Sequence, residues 1–259
     1  MSALLEIRSL NKSFGGLRAV ADFHLDLQAG GLVGLIGPNG AGKTTVFNLV
    51  TGMIPPTSGE IRFAEHKLVG LPPHRIARRG IARTFQNIRL FNDLTVLDNV
   101  RIAHHPYAGY GLGDAVLRTR RFRRREDEMT DESVEMLQIL RLDARAQELA
   151  RNLPYGEQRQ LEIARALASR PKLLLLDEPA AGMNPGEIHK LMDLVHFIRD
   201  RFQLTIFLIE HQMRFVMNIC ERVVVMDFGE IIAEGTPREV QSDTKVIEAY
   251  LGKGAHGCS

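Results

Sequence analysis

The stretch Gly37-Pro38-Asn39-Gly40-Ala41-Gly42-Lys43-Thr44 fits the pattern of Gly, four residues, Gly-Lys and Ser/Thr that marks a phosphate-binding loop. No other stretch limits the fold as strongly, because such a loop works only between a buried strand and a helix start. Both flanks are present. Leu32-Val33-Gly34-Leu35-Ile36 is an apolar run of strand length, and Thr45 to Val50 reads as the opening of a helix. In that geometry the glycines let the backbone curl, so that the loop through Thr45 wraps phosphate oxygens and the helix N-terminus adds partial positive charge. Lys43 would reach the β and γ phosphates, and the Thr44 hydroxyl would ligate Mg²⁺. A glycine turn with a chance lysine is the competing reading, and the strand and helix on either side weigh against it.

The 259 residues are 44% hydrophobic and 25% charged, enough to bury a sizeable core in one large domain with a subdomain. The formal net charge of +2 lacks the basic excess usual in nucleic-acid binders. Two cysteines, Cys220 and Cys258, are too few for a disulfide framework and fit no metal spacing, which points to a reducing compartment. The N-terminus has no signal-peptide core, and no apolar run approaches the roughly eighteen residues of a membrane span.

Taken in order, alternating apolar positions in Leu4 to Leu10 and Ala19 to Leu27, split by Lys12 to Gly16, predict an antiparallel start with a glycine turn. Phe14 on that turn either stacks on a nucleotide base or packs on the sheet edge; composition favours the second. Glu60 to Phe63 is a short strand, and Asp93 to Val100 is helical. From His104 to Asp131 a glycine-bearing loop leads into a basic helix with Arg118, Arg120, Arg121, Arg123, Arg124 and Arg125. Lipid phosphates or nucleic acid would suit the run, but the acids from Glu126 onward favour a solvated, internally paired face. The adjacent His104 and His105 cannot share a helix face and receive no role. Residues 132 to 150 read as helix, interrupted at Leu153-Pro154-Tyr155-Gly156 before a second helix from Glu157 to Ser169. Its bare first amides would make a second anion site, although a structural turn would look the same.

Leu173 to Leu176 is a buried strand ending in Asp177-Glu178, and Leu204 to Ile209 is another ending in Glu210-His211. Two adjacent acids after four leucines, in a chain with a phosphate loop, point to Mg²⁺ and water chemistry. A histidine ending a neighbouring buried strand would reach the same sheet edge. Between them, residues 187 to 202 place Ile188, Leu191, Met192, Val195, Ile198 and Phe202 on one core-facing stripe. A hairpin over Arg222 to Ala233 and a helical tail complete the chain.

This ordered set resembles the ATP-binding subunit of ABC transporters over nearly the whole chain. The resemblance implies an α/β fold: a P-loop NTPase core over 1–86 and 161–235 with an antiparallel β subdomain, a helical subdomain over 87–160 and a helical tail. Phe14 then matches the adenine-stacking aromatic and residues 37 to 44 the Walker A loop. Gln86 matches the glutamine at Mg²⁺ and the attacking water, and Leu153 to Glu157 the signature segment. Asp177 ends the Walker B strand, Glu178 is the catalytic carboxylate, Ala181 to Asn184 the D-loop and His211 the switch histidine. Thr44, Gln86 and Asp177 would surround Mg²⁺, while Tyr155, Gly156 and Glu157 would contact nucleotide. Two departures stand out: the signature reads Leu153-Pro154-Tyr155-Gly156-Glu157, without the usual serine hydroxyl, and the D-loop ends in Asn184 rather than aspartate.

The strings Arg83-Thr84-Phe85-Gln86, Leu161-Glu162-Ile163-Ala164-Arg165, Glu178 to Pro185, Ile209-Glu210-His211 and Ala249-Tyr250-Leu251-Gly252 narrow the resemblance to bacterial high-affinity branched-chain amino acid importers. Urea, amide and lipopolysaccharide transporters share several of these strings. The implied assembly has a second ATPase subunit, identical or related, and two transmembrane permeases. It serves a periplasmic binding protein indirectly and sits on the cytoplasmic face of the inner membrane. A soluble ABC ATPase acting on nucleic acid is disfavoured by a single cassette and no large basic surface.

Overall fold

The computed structural model describes residues 3–251, so Gly252, Cys258 and the end of the expected tail lie outside the described residues. The described residues form two compact units, one from residues 3–83 and 172–251, the other from residues 84–171.

In the first unit, β1 (Leu5–Phe14) and β2 (Leu17–Leu27) pair antiparallel as the alternating pattern required, and β4 (Ser58–Phe63) and β5 (His66–Lys67) extend them into the order β2-β1-β4-β5. The second sheet runs β10-β9-β3-β8-β7-β6. Its strands β3 (Leu32–Ile36), β7 (Leu173–Asp177) and β8 (Thr205–Ile209) are buried at every residue, which explains why their sequences run apolar without alternation. They are parallel to one another or to β6 (Ile81–Arg83) and β9 (Arg222–Asp227), and only β10 (Glu230–Gly235) returns antiparallel, as the expected hairpin. One core fills the space between the sheets around α1 (Lys43–Val50), whose Phe47 ring meets Phe207 with centroids 5.0 Å apart. The helices α2 (Pro73–Arg78), α7 (Pro185–Phe202), α8 (Met213–Ile219), α9 (Pro237–Ser242) and α10 (Thr244–Leu251) complete the unit. On α7 the stripe buries Leu191, Val195 and Ile198 fully and its outer members in part. Gly34 lets α8 lie against β3, since a Cβ there would stand 2.9 Å from the Cys220 sulfur. That thiol is buried, and desolvation pushes its pKa well above the usual range.

The second unit is helical: α3 (Val96–His104), α4 (Leu112–Val116), α5 (Arg120–Ile139) and α6 (Tyr155–Ala168). Two expectations change here. The helix expected from Asp93 starts at Val96, because the Thr95 hydroxyl caps it by accepting from the Asp98 amide. The helix expected over 132–150 ends at Ile139. Arg141 adopts φ 58°, and the amides of Arg141 and Leu142 bond back to Gln138 and Leu137, closing a Schellman turn without the glycine that usually announces one. Residues 143–145 and 150–152 continue only as single 3-10 turns. Among the described residues no helix is long and apolar enough to cross a membrane.

Candidate functional site

The phosphate loop leaves β3 at the middle of the six-stranded sheet. Two of its glycines are demanded by the protein itself: a Cβ at Gly37 (φ 146°) would fall 2.0 Å from the Met226 carbonyl, and one at Gly42 (φ 105°) 2.3 Å from the Ala19 carbonyl. A Cβ at Gly40 meets nothing within 4 Å, so this part of the loop opens outward, with Asn39 and Gly40 exposed. Gly42 caps α1 without a side-chain acceptor, leaving the first amides of the helix available to an anion. Lys43 is buried and folded back, its Nζ donating to the carbonyls of Gly37 at 2.7 Å and Pro38 at 2.8 Å. Burial lowers its pKa, while the charges of Glu178 and Asp177 pull it up again. Thr44 is exposed and Thr45 half-buried.

Asp177 ends β7, level with Ile209 of β8. Its Oδ2 accepts from Arg83 Nη2 at 2.7 Å, an ion pair shielded on both sides, and Arg83 Nη1 also donates to Asn48 of α1 at 2.8 Å. Glu178 follows with φ 47°, a left-handed backbone held by its amide's bond to the Ile209 carbonyl at 2.9 Å. Strain of this kind gathers at reactive positions. The His211 Nδ1 stands 3.6 Å from Glu178 Oε2, so the histidine after β8 does reach the sheet edge that carries Glu178.

Glu210 is the residue that sequence reasoning passed over. Fully buried, it accepts from the Ala180 amide at 2.8 Å through one oxygen and from the His211 and Gln212 amides at 3.1 and 3.3 Å through the other. Desolvation raises its pKa, and the three N–H groups oppose the rise. One carboxylate therefore ties the segment after Glu178 to the segment carrying His211. We predict that Glu210→Gln, which turns an amide NH₂ toward backbone donors, costs about 1–3 kcal/mol in a denaturant titration and lowers ATP turnover by loosening both segments.

In the second unit Gln86 is exposed, and the backbone around it is gripped from α6. Arg159 donates to the carbonyls of Phe85 at 2.7 Å and Gln86 at 2.9 Å, while Glu162, paired with Arg159 at 2.6 Å, accepts from the Phe85 and Arg89 amides. Both side chains are almost fully buried. The same helix opens at Tyr155, and Pro154 offers it no side-chain cap. Leu153 anchors this start in the core and Tyr155 is exposed, whereas the Glu157 carboxylate turns to Arg145 at 2.8 Å. The helix start and the glutamine segment are thus tied together through α6. Arg159→Met, which strands Glu162, is expected to destabilise the protein by about 3–5 kcal/mol, read as a lowered melting temperature.

Phe14 is half exposed rather than packed on the sheet, with Lys12 Nζ 4.9 Å from its ring centroid. Among the described residues no three His, Cys, Asp or Glu side chains converge as a metal cage. The oxygen donors Thr44 and Asp177 suit a hard cation that takes its remaining ligands from phosphates and water, which fits Mg²⁺.

Comparison with known proteins shows what the chain as a whole is similar to. The family model described as ABC transporter matches residues 20–181, and the model described as branched-chain amino acid ATP-binding cassette transporter matches residues 230–256. The high-affinity branched-chain amino acid transport ATP-binding protein LivG of Salmonella typhimurium is 46% identical over 250 residues, 96% of this chain and 98% of the relative. The lipopolysaccharide export system ATP-binding protein LptB of Escherichia coli is 36% identical, over 97% and 98% of the two chains. The crystal structure of the ADP conformation of MJ1267, an ATP-binding cassette of an ABC transporter, superposes with TM-score 0.85 at 30% identity, covering 98% of this chain and all of the other.

Proposed function

The chain belongs to the ABC transporter ATP-binding family, and on that ground we infer that it hydrolyses ATP to power the import of branched-chain amino acids. The cargo rests on one observation: the likeness to LivG runs at 46% identity over 96% of the chain, and residues 230–256 match the branched-chain model. LptB, whose name carries a different cargo, is ten points less identical.

The chemistry is ATP plus water to ADP plus phosphate. Lys43 and the loop amides offset charge on the transferring phosphoryl group, and Mg²⁺ held by Thr44 and Asp177 would supply further charge there. Glu178 orients and polarises the in-line water, and His211 beside it fixes the γ-phosphate. Gln86, as expected from its motif, is assigned to the water and the metal, and Phe14 to the adenine. Without a signature serine hydroxyl, the amides of Tyr155, Gly156 and Glu157 carry the contact to the nucleotide of a second ATPase subunit. Arg83 must share Asp177 with the cation or release it. Two transmembrane permeases take up the conformational cycle at the cytoplasmic face of the membrane, and the cargo reaches them on a binding protein.

Deleting the gene should abolish high-affinity uptake of labelled leucine, and this chain supplied in trans should restore it. Restored uptake of a different solute, with leucine uptake unaffected by the deletion, overturns the cargo assignment and leaves the ATPase assignment standing.

A further inference from the structure

None of the residues assigned to nucleotide lies between His105 and Glu128, yet this segment is built. Tyr110 and Phe122 pack edge to face with centroids 5.0 Å apart, the Tyr110 hydroxyl donates to Glu126 and Arg121 donates to the Gly109 carbonyl. Thr119 caps α5 by accepting from the Phe122 amide and donates to Asp114, which also accepts from the Gly111 amide. These contacts order the tip and turn its polar groups inward. They leave Leu112, Val116 and Leu117 outside, 83%, 73% and 78% exposed. None of the residues Arg120 to Glu128 is buried, whereas Met129, Ser133 and Leu137 are. The first turns of α5 therefore carry the tip clear of the packed part of the helix.

Of the acids that follow the arginine run, Glu126, Glu128 and Glu132 are engaged elsewhere or pair only its far end, while Asp127 and Asp131 stand exposed. Glu126 holds Arg101 at 3.0 Å as well as Tyr110, and Glu132 faces His104, Arg125 and Arg170. Glu128 pairs with Arg124 and Arg125. Arg118, Arg120 and Arg123 are exposed and have no carboxylate partner among the described residues.

We propose that the α4–α5 tip is a membrane-surface contact: Leu112, Val116 and Leu117 enter the headgroup region of an anionic bilayer while Arg118, Arg120 and Arg123 meet lipid phosphates. Exposed aliphatic side chains beside unpaired cations are the combination an anionic interface rewards, through apolar burial and surface potential together. A stable protein partner needs about 800 Å² from each side, far more than three aliphatic side chains on and just after a five-residue helix present. Single-stranded nucleic acid is held by a succession of exposed aromatic platforms, whereas between His105 and Glu128 Tyr107 alone among the aromatics is exposed and Tyr110 and Phe122 face each other. The contact is independent of the cargo and of the ATPase chemistry.

The test is co-sedimentation of the full chain with vesicles of phosphatidylcholine alone and of phosphatidylcholine containing phosphatidylglycerol. Binding to the anionic vesicles should be at least about tenfold tighter and should weaken as salt is raised. Combined Arg118→Glu, Arg120→Glu and Arg123→Glu should remove that preference, about fivefold in affinity per charge lost. Combined Leu112→Ser, Val116→Ser and Leu117→Ser should weaken the binding that remains at high salt. Both variants should keep the wild-type melting temperature and ATPase rate, since neither touches the core or the nucleotide site. Equal binding to neutral and anionic vesicles, or wild-type binding by both variants, overturns the proposal. Binding that appears only when permeases are in the vesicles also overturns it, and assigns the tip to a protein partner.

Discussion

Glu178→Gln should bind ATP as the wild type does and lose about 10²–10⁴-fold in turnover, accumulating an ATP-held dimer. Glutamine has the size of glutamate, so the left-handed backbone at this position and the amide bond to the Ile209 carbonyl persist. The Lys43 amine and the loop amides remain in place, so nucleotide affinity is retained. What disappears is a carboxylate able to polarise water beside His211, at 3.6 Å. Phosphate release measures the rate, and size-exclusion chromatography with ATP reads the dimer. Hydrolysis within a few-fold of wild type would show that Glu178 is not the base and move attention to Asp177.

Lys43→Ala should weaken ATP binding by roughly 2–5 kcal/mol, enough to eliminate it at micromolar nucleotide in a fluorescent-nucleotide titration. The substitution removes the buried cation set beside Asp177 and Glu178 and frees the carbonyls of Gly37 and Pro38 that Lys43 now holds. The carboxylates then face the incoming phosphates without compensation. Near-normal affinity would mean that the loop amides alone hold the nucleotide. The two variants separate binding from chemistry, because the first spares what the second destroys.

How much of the site was readable follows from sequence distance. Asp177, Glu178 and His211 sit where a buried strand ends, and a short apolar run followed by a charged residue is a local signal, while Lys43 and Thr44 open α1 inside a contiguous glycine-rich pattern. Glu210 carried the same signal, yet nothing local tells that it turns inward to the Ala180 amide thirty residues away. The Arg83–Asp177 pair spans ninety-four residues. Arg159 and Glu162 look like an ordinary solvated pair on a helix; only the chain folded over them, at Phe85 to Arg89, makes them buried.

The sequence by itself determined the phosphate loop, the two acid-tipped strands, the opening hairpin and the family, because each is encoded within a few neighbouring residues or in their order. Tertiary structure alone decided which charges are buried and paired. It made Arg83 the partner of Asp177, turned Glu210 inward to the Ala180 amide, and drew Glu126 to Arg101 and Tyr110. The physical reason is common to all of these. A charged side chain's environment is set by whatever packs across it, and that partner comes from a remote part of the chain whose arrival no local pattern records.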